Sequence, residues 1–425
     1  MTEKSPSGEK PRRILAYPNV LGMTQLHTRN PYVIALWSSL FPGFGHLLLS
    51  KYIRAFILFI WEIVINYQSH VNLAFFFTVL GDFDAAKEAV DIRWSLLYIP
   101  TYIFAVWDSY RAAVDMNKQY ILASRENAPI SPFKMSPFGV AFLNKRSPLV
   151  TSSWCALTPG LGHIMIQRII HGVFILFWWI TVIYFSNVLT AIHFTFFGEF
   201  AKAREAINPQ WFLNIPSLLF YCVYATYVNS VESNKLFDRE QSQFLKKNYQ
   251  SAGFHFPYIN DESGAAMYVI STFDQTIHVE LAVTAVEEAG ISRKDILAVP
   301  IERTLLGGRL FDTMRTATGD SVFDLPMILA AFLSLFGCIY GFILSWGPVV
   351  WGVIGAFAGF AVGLSVKLLL LRKKKLGGFE NEVVILVACL DGKAEQIRQI
   401  LRDNGALGVT ISASDGGESA SPRFV

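Results

Sequence analysis

Slid along itself by 117 residues, this chain matches itself without a gap, residues 31–118 lying over 148–235 at about a third identity. The match pairs Trp37 with Trp154, and Pro42, Gly43, Gly45 and His46 with Pro159, Gly160, Gly162 and His163. It also pairs Trp61 with Trp178, Gly81 with Gly198 and Trp94 with Trp211. Two copies of one unit must bury the same pattern twice, and each copy here carries three apolar segments. Of all residues 52% are apolar and only 16% charged, against roughly a quarter charged in soluble domains. Runs such as 53–65, 94–106, 170–184 and 211–223 approach the length of a membrane span. The sequence therefore predicts a helical membrane protein.

The basic residues set the expected topology. Arg29, Lys51 and Arg54 flank the first segment of copy one, and Lys145, Arg146 and Arg168 flank its counterpart. Lys118, Arg125, Lys235, Arg239, Lys246 and Lys247 follow the third segments. The positive-inside rule places all of these in the cytoplasm. The connectors 82–91 and 199–208 are acidic or mixed, read as amphipathic helices, and fit the outer face. A direct repeat with matching charge bias needs an even number of crossings per copy. Two segments of each copy are then expected to span, while 32–49 and 150–166 form re-entrant or interfacial hairpins broken at Pro-Gly-x-Gly-His. The alternative in which they span stays open.

In that turn proline removes a backbone donor and the glycines allow positive φ and close approach, a design for tight reversal. His46 and His163 are expected to hydrogen-bond the carbonyls this frees; the sharper reading makes them metal or proton sites. With its Pro/Gly turn ending in His before a long apolar helix, each copy resembles bacterial membrane proteins of the small two-transmembrane-helix class. The resemblance covers 31–65 and 148–182. The chain departs from that pattern at Leu47-Leu48-Leu49-Ser50 and Ile164-Met165-Ile166-Gln167, where such proteins often continue Tyr-Leu-Gly. That family brings no agreed chemistry with it.

Other candidates are few. Glu62 falls inside an apolar segment, where a carboxylate is costly and function is the default hypothesis, but its counterpart is Trp179, which argues for a structural role. Asp108 is expected to pair with Arg111 one turn on. Cys155, Cys222, Cys338 and Cys389 form no CxxC pair and read as small packing residues, neither a disulfide framework nor a zinc site. No Ser-His-Asp, Cys-His, Walker or HExxH arrangement occurs, and Gly307-Gly308-Arg309 reads as a loop. The expectation is no enzyme, no cofactor, no metal and no nucleic acid.

From Ala266 the pattern becomes that of an α/β module. A strand at 267–273, Asp274 as helix cap, a helix at 276–289 closed by Gly290 and a strand at 296–301 are followed, after an interruption, by a strand at 383–390, a helix at 393–404 closed by Gly405 and a strand at 407–411. Two β-α-β halves suggest a ferredoxin-like sandwich. The interruption is a helical hairpin, 326–345 and 349–371, turning at Trp346-Gly347-Pro348, with Gly355, Gly359 and Gly363 four apart on its second helix and Arg372 to Lys375 after it. Such a groove serves either packing within the hairpin or a homo-oligomer. Residues 265–412, through Met267-Tyr268-Val269-Ile270, Glu288-Ala289-Gly290-Ile291, the glycine-rich helix and Asn404-Gly405-Ala406, resemble membrane-associated general or heat-induced stress proteins of bacteria. That resemblance implies a stress-related or regulatory role.

The expected fold class is a mainly α polytopic membrane protein, about six membrane-spanning helices plus two re-entrant segments, with a cytoplasmic α+β ferredoxin-like domain interrupted by a helical hairpin. The divisions are a basic cytoplasmic tail (1–30), repeat one (31–120), a linker (121–147), repeat two (148–237), a charged linker (238–264), the first half-domain (265–322), the hairpin (323–371), the second half-domain (372–412) and a disordered tail (413–425). The polar N-terminus offers no signal peptide. Both termini are expected in the cytoplasm of a bacterial cell, with the lipid bilayer and a cytoplasmic protein or small effector as partners. The expected function is structural or regulatory, the alternative a small-solute or ion transporter or channel built from the two repeats.

Overall fold

The computed structural model describes residues 12–137, 139–250, 266–305, 321–371 and 378–413. The basic cluster at 372–375, Gly307-Gly308-Arg309 and the tail from 414 lie outside them. The chain divides into two units: 1–233 with 310–376, and 234–309 with 377–425.

In the first unit each copy begins with a small antiparallel hairpin, β1 (Ala16–Asn19) with β2 (Gly22–Gln25), and β3 (Phe133–Ser136) with β4 (Gly139–Phe142). These hairpins are themselves 117 residues apart, so the duplication reaches back to Ala16, into the stretch read as a tail. Copy one continues as α1 (Pro31–Leu40), α2 (Phe44–Leu48), α3 (Tyr52–Ser69), α4 (Val71–Leu80), α5 (Phe83–Ala89) and α6 (Ile92–Arg125). Copy two repeats it as α7 (Pro148–Leu157), α8 (Leu161–Met165), α9 (Ile169–Ser186), α10 (Val188–Phe196), α11 (Phe200–Ala206), the single turn α12 (Pro209–Phe212) and α13 (Asn214–Tyr249). The left-handed positions recur at the same offset: Gly43 and Gly160, Ser50 and Gln167, His70 and Asn187, Gly81 and Gly198. The breaks are thus a property of the repeat. The acidic connectors are helical, as their periodicity indicates.

At ten and five residues, α1 and α2 are each far shorter than the ~20 residues a ~30 Å hydrocarbon core requires, and α7 and α8 are the same. Among the described residues three helices are long and apolar enough to cross a membrane, Ile169–Ser186, Pro209–Tyr249 and Gly347–Leu370. Tyr52–Ser69 and Val71–Leu80, bent by 62° at His70, supply a fourth if the pair is one span. The copies share one core. Phe44 stacks on Tyr221 with ring centroids 3.9 Å apart, Trp37 stacks on Tyr224 at 5.0 Å, and Phe59 meets Trp178 at 5.1 Å.

The hairpin belongs to this unit as α15 (Asp324–Tyr340) and α16 (Gly347–Leu371), which follow α14 (Ile277–Glu288) of the second unit in chain order. Its first helix ends five residues earlier than the hydrophobic run suggests. Gly341 caps it, and tight turns follow, with Phe342 N bonding Ile339 O and Leu344 N bonding Tyr340 O. The apolar run continues through the turn, so periodicity alone overshoots the boundary.

The second unit holds β5 (Ala266–Asp274), α14 (Ile277–Glu288), β6 (Ile296–Leu305), β7 (Gly378–Leu390), α17 (Asp391–Asp403) and β8 (Gly408–Ala413). Its sheet runs β6-β7-β5-β8 with every neighbouring pair antiparallel. Alternation puts Val269, Phe273, Val383, Ile385 and Val387 on one face against Val279, Val283, Val286, Ile397 and Leu401 of the helices. Gly290 and Gly405 both take positive φ after the helices, as expected of C-terminal caps. Asp274 is instead the last residue of β5, and Thr276 precedes α14 without a side-chain bond. The last turns of α13 join this core through Leu245 and Tyr249, so the stretch read as a charged linker starts as helix.

Candidate functional site

Gly43 and Gly160, at φ +102° and +105°, reverse the chain between α1 and α2 and between α7 and α8. Gly45 and Gly162 then let the short helix lie against its partner: a Cβ on Gly162 would come within 2.9 Å of Cys155 Sγ and of Thr226 Cγ2. This geometry carries both histidines inward, fully buried. Sequence reading expects them to bond the carbonyls of the turn; among the described residues both instead meet side chains of the third segment.

The two copies use that contact differently. His46 Nε2 lies 2.9 Å from Asp108 Oδ2, and Arg54 Nη1 donates to the same carboxylate at 3.0 and 3.2 Å. Arg111 is not the partner of Asp108; it lies over the Trp107 ring, 5.0 Å from its centroid. The i,i+3 spacing was outweighed by an imidazole and a guanidinium arriving from other helices. At the equivalent place in copy two, Asp108 is replaced by Ala225, Ser38 by Cys155, Ala105 by Cys222 and Arg54 by His171. His163 Nδ1 is 3.5 Å from Cys155 Sγ, 3.6 Å from Cys222 Sγ and 3.1 Å from Thr226 Oγ1. The two sulfurs are 3.0 Å apart. His171 lies beside His163, ring centroids 4.1 Å apart, and its Nε2 meets Tyr221 OH at 3.1 Å. Sequence spacing hid this cluster, since its cysteines are 67 residues apart. The self-alignment sets the two cysteines over Ser38 and Ala105, which marks them as particular to copy two but carries no sign of the histidine.

Glu62 is the other buried polar centre. Asn66 Nδ2 and Tyr98 OH donate to its Oε1 at 3.0 and 3.1 Å, and Oε2 accepts nothing among the described residues. Asn66 is tied in turn to Asn72 and to Gln210 of copy two, and Gln210 Oε1 accepts the Leu73 amide at 2.9 Å. The polar set lies at the bend between α3 and α4, where backbone groups are freed. Beside it is a cavity of about 330 Å³ lined by Glu62, Tyr98, Tyr102, Asn72, Asn214 and Ser217, with Phe75, Phe332 and Leu335 among its apolar walls. Tyr102 OH also bonds the Ser39 carbonyl. The absence of a second Glu in copy two loses its force here, because both copies and the hairpin build one cavity together.

Gly355, Gly359 and Gly363 face α15: a Cβ on each would collide with the backbone of Leu333, Leu329 and Pro326 respectively. Packing within the hairpin occupies the glycine face.

The chain matches no protein family, no curated protein and no solved structure. Fold and sites define a class: a mostly helical protein with apolar helices of membrane length, a duplicated unit of broken helices, and a small α/β domain into which a helical hairpin is inserted.

Proposed function

We propose that this chain is a non-enzymatic bacterial membrane protein that binds a small cationic or hydrogen-bond-donating solute beside Glu62, and that it acts as a transporter with a regulatory cytoplasmic domain. One observation carries this reading: a cavity of about 330 Å³, within the ~300–1,000 Å³ range of small-molecule sites, walled by aromatic rings and holding a carboxylate with one oxygen unpaired. Asn66 and Tyr98 satisfy one oxygen; a half-satisfied carboxylate inside an apolar bundle is expensive, and a cationic or donating ligand bonds the other oxygen. A purely structural or regulatory protein, the first expectation from sequence, has no use for that vacancy. The cavity also lies at the junction of two repeats beside a broken helix, an arrangement suited to alternating access.

The six-pass topology belongs to the same proposal, with α3 and α6, α9 and α13, and α15 and α16 crossing, and α1-α2 and α7-α8 re-entering. The short lengths of the latter four support it, as does the basic flank of each. For the second unit, the 2-3-1-4 strand order in two β-α-β halves supports a ferredoxin-like sandwich. Ile270, Leu297, Val299, Val384 and Leu386 share the sheet face away from the helices and stay partly exposed, which supports effector or protein binding there.

Isothermal titration of the full-length protein in detergent with benzylamine, against its neutral analogue benzyl alcohol, tests the site. Benzylamine should bind, and Glu62→Gln should weaken it roughly tenfold to a hundredfold, the worth of a charge-assisted hydrogen bond of about 1.5–3 kcal/mol. Equal binding of benzylamine to wild type and Glu62→Gln, or none to either, would sink the reading.

A further inference from the structure

We propose that Cys155, Cys222 and His163 form an intramembrane binding site for a thiophilic d¹⁰ metal ion, specifically zinc(II), in the second repeat. The three ligand atoms are fully buried and come from three helices, Cys155 on α7, His163 on α8 and Cys222 on α13. With Zn–S near 2.3 Å and Zn–N near 2.0 Å, a tetrahedral site needs sulfur–nitrogen edges of about 3.5 Å and a sulfur–sulfur edge of about 3.8 Å. The Sγ–Nδ1 distances are 3.5 and 3.6 Å. The sulfurs, 3.0 Å apart, open by under an ångström as the ion enters. Thr226 Oγ1, 2.9 Å from Cys155 Sγ and 3.1 Å from His163 Nδ1, closes the fourth side as a weak ligand or as a donor to sulfur.

The surroundings suit thiolates. The Gly160 amide of the Pro-Gly turn donates to Cys222 Sγ at 3.2 Å, an outer-shell bond of the kind that holds ligands in place. Two thiolates neutralise Zn²⁺, so the loaded site carries no net charge into a low-dielectric interior, whereas copper(I) would leave one negative charge there. Loading one ion displaces both thiol protons, and His163 binds through the Nδ1 lone pair with its proton on Nε2. Comparison with copy one sharpens the inference. The same fold holds His46 with a carboxylate and an arginine and has Ser38 and Ala105 where the cysteines lie. Repeat packing therefore does not require two sulfurs at this place.

The same comparison supplies the test variant, because Cys155→Ser with Cys222→Ala installs the residues copy one already accommodates. Full-length wild type, purified in detergent under reducing conditions and exposed to zinc, should retain about one zinc per chain and release about two protons on loading. The double variant should retain none, while Cys338→Ser, outside the cluster, should behave as wild type. Cobalt(II) in wild type should give the thiolate-to-metal charge-transfer absorption of a sulfur-ligated tetrahedral ion, a readout independent of how the variants fold. Absence of that absorption, zinc retention unchanged in the double variant, or a Cys155–Cys222 disulfide in protein whose thiols were blocked at lysis would overturn the site.

Discussion

Replacing Gly355 or Gly359 by Ala decides whether the glycine row serves the hairpin itself. The new Cβ would lie 2.7 Å from the Leu333 carbonyl carbon at Gly355, and 2.6 Å from that of Leu329 at Gly359, with each carbonyl oxygen nearer still. Ordinary contact starts at 3.4 Å, so α15 and α16 must part by at least 0.7 to 0.8 Å, and backbone on both sides offers no rotamer to yield. A gap of that size forfeits a quarter to a half of the dispersion well for neighbouring atoms. Overpacking of this kind costs about 1–3 kcal/mol per site. The double substitution should cost less than twice that, since once the helices part for one methyl they admit the other. Thermal denaturation of the full-length protein in detergent, followed by loss of the monodisperse chromatographic peak, should show each single variant several degrees less stable with its oligomeric state unchanged. Gly392→Ala is the matched control: nothing lies within 4 Å of its Cβ position, and it sits in helix, where Ala is favoured by about 0.5–1 kcal/mol. Gly355→Ala as stable as wild type but altered in oligomeric state would refute hairpin packing and hand the glycines to a partner copy.

In the α/β unit, Arg293 grips Glu287 through Nε at 2.6 Å and Nη2 at 3.3 Å, and Tyr249 OH donates at 2.9 Å. Partial burial alone would raise the Glu287 carboxyl, but the donors outweigh it and hold it below its ordinary value of 4.5. A depressed folded-state value means stability present above the ordinary value and lost as pH falls through the folded one. Glu287→Gln should therefore lower hydrogen-exchange protection of α14 a few-fold at pH 6, with the difference shrinking as the pH falls below the ordinary carboxyl value and the wild-type carboxyl takes up its proton; a difference that stays constant as the pH falls would contradict it. For the topology, single cysteines placed at Asp84 and Ala201 should react with an impermeant maleimide from outside intact cells, and one at Glu395 should react only after permeabilisation. Labelling of the first two from opposite sides would end the six-pass drawing.

The duplication, the apolar class, the acidic connector helices and each strand and helix of the α/β unit were legible in the sequence, because all of them follow from periodicity, local breakers and chain self-similarity. Even the two left-handed glycines of the histidine turns could be read locally. Side-chain partnership could not. Asp108 seemed to belong to Arg111 on spacing, but went to His46 and Arg54 because folding brought those donors closer in space. Glu62 looked solitary until the bend at His70 brought Asn72 onto its helix neighbour Asn66 and folding set it against Tyr98 and a cavity whose other walls include α6, α13 and α15. Cys155 and Cys222 looked like filler until α7 and α13 closed on His163. Local order depends on residues a few positions apart, which the sequence presents side by side; a polar site inside an apolar bundle depends on which distant groups share one dry space, and only the packed helices determine that.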